Sequence, residues 1–336
     1  MNATARKGDY AALDIRFGSC HIPFGRRKEA VMARAKQPKA VHQLTAAQFD
    51  ALFKTEADCV RYLVVRRWPE GAVCPRCGNP KVYALASGHH WQCTQCAPGG
   101  STGYRFSHLT GTIFENTNKP LKDWFRVIHL MLVSKKGISA LQIYRFLGFG
   151  SYKTAWLMCH KVRVALTEDI EQLGGIVEVD ETFVGGLAKN RHKDKRGDGS
   201  GGTGGAGKAI VIGAVKRKGN VVARVINNLK GATLTEFVRE AVSHKVSLLC
   251  TDEATGYRKL AKEYPLRMVD HARGQYVVGA VHTQTIEGFW SLIKRGIMGS
   301  FHKVSKKYLP LYVAEFEFRY NNRLNEDIFG AAIKGC

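Results

Sequence analysis

GIVEVDETF, Gly175 to Phe183, is the stretch on which the fold turns. It reads as a strand, in which Glu178 and Asp180 share one face and Glu181 points to the other. Downstream, strands follow over Ala209 to Val215 and Val221 to Ile226, joined by the turn Lys218-Gly219-Asn220. A helix then opens at Thr233, where Glu236 completes a capping box. Next come a strand from Val246 to Cys250, a helix around Tyr257 to Glu263, a strand from Leu266 to Val269 and a helix from about Thr285 to Arg295. Three strands followed by alternating helix and strand predict an α/β domain, a mixed sheet flanked by helices.

The positions of the acids sharpen this. Asp180 lies in the first strand, just before Gly185-Gly186, and Asp252 follows the strand that ends at Cys250, where ligand-binding residues of α/β sheets usually sit. Glu287 is on the last helix, whose Ile286, Phe289, Trp290 and Ile293 form a buried stripe, with Glu287, Ser291 and Lys294 on the neighbouring stripe. Phosphodiester cleavage builds negative charge that two Mg²⁺ (or Mn²⁺) ions about 3.5–4 Å apart can stabilise, and such hard cations take carboxylate oxygens. In this reading Asp180 bridges both ions, Asp252 and Glu287 each complete one, and Lys294 holds the scissile strand as a point charge. Glu178, Glu181 and Glu253 are competing acids. Glu181 faces away from Asp180, and Glu178 lies deeper, where a structural partner is expected.

Upstream, Cys74-Pro-Arg-Cys77 and Cys93-Thr-Gln-Cys96 are separated by fifteen residues, the spacing of two thiolate knuckles closing a tetrahedral Zn²⁺ site across a hairpin. Four protein ligands leave no open position, so the zinc is structural, and His89 and His90 are hairpin residues. Thr45 with Gln48 predicts a helix start, and a second helix runs from Thr55 through Trp68. From Leu121 to Leu166 helical spacing is broken near Gly137-Ile138-Ser139 and Gly148-Phe149-Gly150-Ser151. This predicts a helix-turn-helix whose second helix, capped by Ser151, offers Lys153, Lys161 and Arg163 to DNA; the alternative is a helical connector with a solvated basic face.

The formal charge of +23 over 336 residues points to a polyanionic partner, nucleic acid first. The first forty residues hold no apolar signal region, and no stretch approaches the ~20 apolar residues of a membrane span, so a soluble, cytoplasmic and nucleoid-associated protein is expected. Nine cysteines, an odd number with four in paired CxxC, fit a reducing compartment and a metal. Gly202 to Lys208, GTGGAGK, imitates a phosphate-binding loop, but Ala209 stands where Ser or Thr would hold Mg²⁺ and a strand follows instead of a helix. With Lys189 to Lys195 it reads as a basic loop beside the active site that tracks the DNA backbone.

These motifs together resemble the DDE transposases of bacterial insertion sequences, in the branch with an N-terminal zinc ribbon. The resemblance runs from about Leu44 to Arg323, through Arg67-Trp68-Pro69-Glu70-Gly71, the Cys74 knuckle, Gly111-Thr112-Ile113-Phe114, Val179-Asp180-Glu181-Thr182, Thr251-Asp252-Glu253 and His282-Thr-Gln-Thr-Ile-Glu287-Gly-Phe-Trp290. It implies a ribonuclease H-like catalytic domain, Asp180, Asp252 and Glu287 as metal-binding triad, Lys294 as the basic residue after it, and terminal inverted repeats and target DNA as substrates. Hydrolysis exposing 3′-hydroxyls, then their attack on target DNA by an oligomer of the chain, is the implied reaction. The expected division is a basic leader (1–43), N-terminal helices and zinc ribbon (44–110), a helix-turn-helix-like region (111–172), the catalytic domain (173–325) and a tail (326–336). A non-catalytic DNA-binding regulator and a metal-dependent nuclease on the same fold are the rival readings.

Overall fold

The computed structural model describes residues 44–86, 88–96, 103–169, 171–186, 207–252, 255–269 and 282–336. The expected leader, Lys189 to Lys195, most of GTGGAGK and Glu253 lie outside them. Among the described residues, no helix is long and apolar enough to cross a membrane.

The N-terminal helices start where short polar side chains replace missing backbone acceptors. Helix α1 (Ala46–Leu52) is closed by a reciprocal Thr45–Gln48 cap and α2 (Glu56–Arg67) by Thr55–Asp58. Strands β1 (Tyr83–Ala84), β2 (His90–Cys93) and β3 (Tyr104–Ser107) form a small antiparallel sheet. Trp68, at the end of α2, packs on Trp91 and Phe106 of that sheet. Three helices follow: α3 (Leu121–Val133), α4 (Ala140–Leu147) and α5 (Tyr152–Ala165). Gly148 ends α4 at φ 63°, a left-handed conformation that suits glycine, and Ser139 and Ser151 cap α4 and α5, giving the expected helix-turn-helix.

The larger sheet has the order β6-β5-β4-β7-β8, formed by β4 (Ile176–Val184), β5 (Ala209–Lys216), β6 (Val221–Ile226), β7 (Leu248–Asp252) and β8 (Leu266–Val269). β4, β7 and β8 run parallel, whereas β4, β5 and β6 form an antiparallel meander, so the sheet is mixed as expected. One face is covered by α6 (Gly231–Ala241) and a 3-10 stretch, Thr255–Lys262, which bury Val177, Val179, Ile212 and Leu249. The other lies under α7 (Gln284–Gly296), which continues into a π turn, Ile297–Phe301, and under α8 (Leu309–Asn321).

Four local expectations shift. Helix α6 begins at Gly231 rather than Thr233, because Asn228 Oδ1 accepts from the Lys230 amide and the Thr233 hydroxyl and so takes over the start. The helix around Tyr257 is 3-10 throughout, and β7 runs two residues further, so Asp252 is its last residue. The final residues do not trail as a tail: α9 (Ile328–Gly335) places Phe329, Ala332 and Ile333 in the core formed by α1, α2, α3 and α5.

Glu317 on α8 makes one stability prediction. Burial above all, with Glu168 nearby, pushes its carboxyl from the ordinary 4.5 up to about 8. Between those values the unfolded chain releases the proton and the folded chain keeps it, so each rise in pH favours unfolding. Below 4.5 and above 8 the dependence vanishes. Glu317→Gln is expected to flatten the decline of melting temperature across this window; an unaltered pH profile counts against the burial argument.

Candidate active site and metal centres

The zinc ribbon is built from two tight turns. Cys74 and Cys93 are buried, and Sγ separations are 3.8 Å for Cys74–Cys96 and 3.7 Å for Cys77–Cys93. Zinc–sulfur bonds of about 2.3 Å at tetrahedral angles put the sulfurs about 3.8 Å apart, so this donor set fits Zn²⁺. All four thiols lie within 4.8 Å of one another. His89 and His90 are exposed hairpin residues, and the four thiols complete the shell without them. The ion would staple a sheet whose own core is little more than Trp68, Cys74, Cys93 and Phe106. Stripping it with a chelator is expected to release the Trp68–Trp91 edge-to-face contact, read as a change in near-ultraviolet circular dichroism. Zinc loss with an unchanged spectrum would speak against a structural role.

The acids gather where β4 and β7 part. Their parallel ladder pairs Ile176 to Glu178 with Leu248 to Cys250, and just beyond it stand Asp180, Glu181 and Asp252, with carboxylate oxygens within 4.8 Å of one another. Sequence reasoning set Glu181 aside, and here the structure corrects it. Its side chain does leave on the other face, where the buried Tyr257 donates a hydrogen bond to it, yet its two-methylene arm returns the carboxylate to the group. Period-two alternation governs where Cβ points, not where a long side chain ends.

Asp180 is held from two sides. Trp290 Nε1 on α7 donates to its Oδ2 at 3.0 Å, and Gly213 is its register partner on β5. A Cβ on Gly213 would stand 2.6 Å from the Trp290 ring, so the glycine makes the space that lets the indole reach the carboxylate. Burial first, then the Asp252 and Glu287 charges, push the Asp180 carboxyl up to about 6. Burial and the Asp252 and Asp180 charges likewise raise Glu181 to about 7 against its Tyr257 hydrogen bond. Such crowding of hard oxygen donors fits a divalent cation, which would relieve the repulsion.

Glu287 stands outside this tight group. It lies on the first turn of α7, its Oε1 takes the Thr283 hydroxyl at 3.1 Å, and with Asp180 it lines a cleft of about 650 Å³. Lys294 lines the same cleft, two turns further along. The helix is anchored by Glu178, which is fully buried and accepts from Thr285 N at 2.7 Å, Thr285 Oγ1 at 2.9 Å and Ile286 N at 3.2 Å while paired with Arg217 Nε at 2.7 Å. It is the structural partner expected, reaching from the sheet to cap the helix that carries Glu287.

Two residues assigned to DNA are elsewhere. Arg163 is 2 % exposed and bonded to the buried Glu315 of α8 at 2.7 Å, because its side of α5 is the one packed inward. Lys161 is half-buried and donates to Ile113 O at 2.9 Å. Of the three, Lys153 alone is exposed, on the first turn of α5. Gly213, Trp290 as an Asp180 partner, and Tyr257 were missed; a glycine in the middle of the strand run AIVIGAVK was the one available signal.

Residues 172–321 match the ISXO2-like transposase domain, and residues 54–98 match the transposase zinc-ribbon domain. An uncharacterized protein in transposable element ISH50 of Halobacterium salinarum is 27% identical over 289 residues, which are 80% of this chain and 91% of that protein. A chain in the structure of a simian T-cell lymphotropic virus intasome in complex with PP2A regulatory subunit B56 gamma has a TM-score of 0.28 and 13% identity. That likeness covers 58% of this chain and 65% of the other, and is too slight to carry an argument.

Proposed function

Because residues 172–321 match the ISXO2-like transposase domain and residues 54–98 the transposase zinc-ribbon domain, we propose that the chain cuts the ends of an insertion sequence at the terminal inverted repeats and joins the freed 3′-hydroxyls to target DNA. The observation that carries this is the approach of Asp180 and Asp252 beside the cleft that Glu287 and Lys294 line. Mg²⁺ or Mn²⁺ held there would stabilise the attacking and leaving oxygens of an in-line displacement. Asp180, fixed by Trp290, and Asp252 would hold the metal. Glu287, which lines the cleft beside Asp180, would complete the set, with Glu181 its competitor for that position. Lys294 holds the scissile strand.

In this reading the ribbon region (44–110) and the helical region (111–172), with Lys153 on its exposed face, bring DNA to the catalytic region (173–325). Pairing two ends calls for an oligomer, working on DNA in the cytoplasm. The test is strand transfer of a labelled element end in Mg²⁺. Joined product supports the proposal; cutting without joining makes the protein a nuclease, and a mobility shift alone makes it a regulator.

A further inference from the structure

A third cation stands on the cleft, and it does not come from the catalytic region. Lys136, in the turn between α3 and α4, lines the cleft together with Asp180, Glu287, Lys294 and Arg295. Lysines on surface turns are ordinarily solvated and mobile, and holding one in place costs side-chain entropy. The backbone beneath Lys136 is therefore what matters.

That backbone is seated by two glycines. Gly137 has φ +82°, and a Cβ on it would lie 2.5 Å from the Phe301 ring of the π turn. Gly296, the last residue of α7, lets the Lys136 carbonyl approach so closely that a Cβ there would stand 2.8 Å from it. Arg319 of α8 donates to Ser134 O, Gly137 N donates to the same oxygen at 2.9 Å, and Ser134 Oγ donates to Leu130 O at 2.7 Å. The turn is thus packed directly on the end of the helix that bears Glu287 and Lys294. Neither Lys136 nor Lys294 has an ion-pair partner among the described residues, although two carboxylates line the same cleft. Among the described residues, both ammonium groups are left for an anion brought from outside.

Resting on the transposase reading above, we infer that Lys136 is a DNA-contacting residue, gripping a backbone phosphate of the strand that enters the carboxylate cleft opposite Lys294. The strand is held between a lysine of the helical region and a lysine of the catalytic region. The cleft is therefore complete only with the α3–α4 turn seated on α7. An ammonium suits this place because a phosphate on a flexible strand needs a point charge rather than a fixed fork.

Fluorescence anisotropy of a fluorescein-labelled duplex, titrated without divalent ions over a salt series, tests the assignment. Lys136→Ala is expected to weaken binding roughly three- to tenfold at about 0.1 M salt and to lower the slope of log affinity against log salt by about 0.9, the release of one phosphate contact. Lys136→Arg should keep the slope, since the charge stays. Lys135→Ala, at an exposed neighbour that does not line the cleft, should leave it unchanged. All these side chains are exposed, so each variant should melt with the wild type. Lys136→Ala behaving like Lys135→Ala overturns the inference while the transposase reading stands. A wild-type chain with no salt-dependent affinity for DNA overturns both.

Discussion

Asp180→Asn is expected to abolish cutting and joining while leaving the metal-free protein as stable as before or slightly more so. The two halves of that result have different origins. Asn is nearly isosteric, and its carbonyl oxygen can still accept from Trp290 Nε1, which sits 3.0 Å from Oδ2. The side chain therefore keeps its place under α7. What disappears is one negative charge from a group in which burial, Asp252 and Glu287 already push the Asp180 carboxyl up to about 6. Removing it relieves a repulsion that the folded chain bears and the unfolded chain does not. In the proposed site catalysis would lose a charged oxygen ligand, and metal-held charge stabilisation is worth several kcal/mol, so the rate should fall at least roughly a thousandfold.

Asp252→Asn should do the same. The third position is decided by comparing Glu287→Gln with Glu181→Gln: the variant that lowers Mn²⁺ affinity by calorimetry along with activity identifies the ligand. Full strand transfer by Asp180→Asn would refute the proposed site. Loss of activity accompanied by a large fall in melting temperature would show that Asp180 is structural.

The strand that carries Asp180 was legible because valines alternate with acids along it, and Val177 and Val179 are both fully buried on one face of the sheet. The four thiolates were legible because zinc geometry constrains spacing along the chain. What sets the acids in place was not legible. Trp290 reaches Asp180 only because β5 pairs Gly213 opposite it, a partnership across 33 residues of sequence that register alone creates. Arg163 illustrates the reverse failure. Charge made it look like a DNA contact, but its position four residues after the buried Cys159 places it on the inward side of α5, where Glu315, 152 residues later, supplies the counter-charge. Local sequence reports that a residue is charged; only the fold reports whether a partner waits inside.

Glu178→Ala should destabilise the region around the larger sheet by about 3–5 kcal/mol, measured by chemical denaturation. Its carboxylate does two jobs at once. It is the buried counter-charge of Arg217, and stripping a buried pair of one partner typically costs that much. It is also the cap of α7, whose own N-cap residue, Thr283, makes no capping bond and gives its hydroxyl to Glu287 instead. Without Glu178 the amides of Thr285 and Ile286 lose their acceptor, and a lost cap contributes about 1 kcal/mol of the total. Glu178→Gln keeps an acceptor but not the charge, so it should fall between wild type and Ala. Because α7 holds Glu287, Trp290 and Lys294, its amides should exchange faster in Glu178→Ala than those of α6, which the carboxylate does not touch. A variant that loses less than about 1 kcal/mol, with α7 amides protected as in the wild type, would mean that the packing of Ile286, Phe289 and Ile293 alone holds the helix on the sheet.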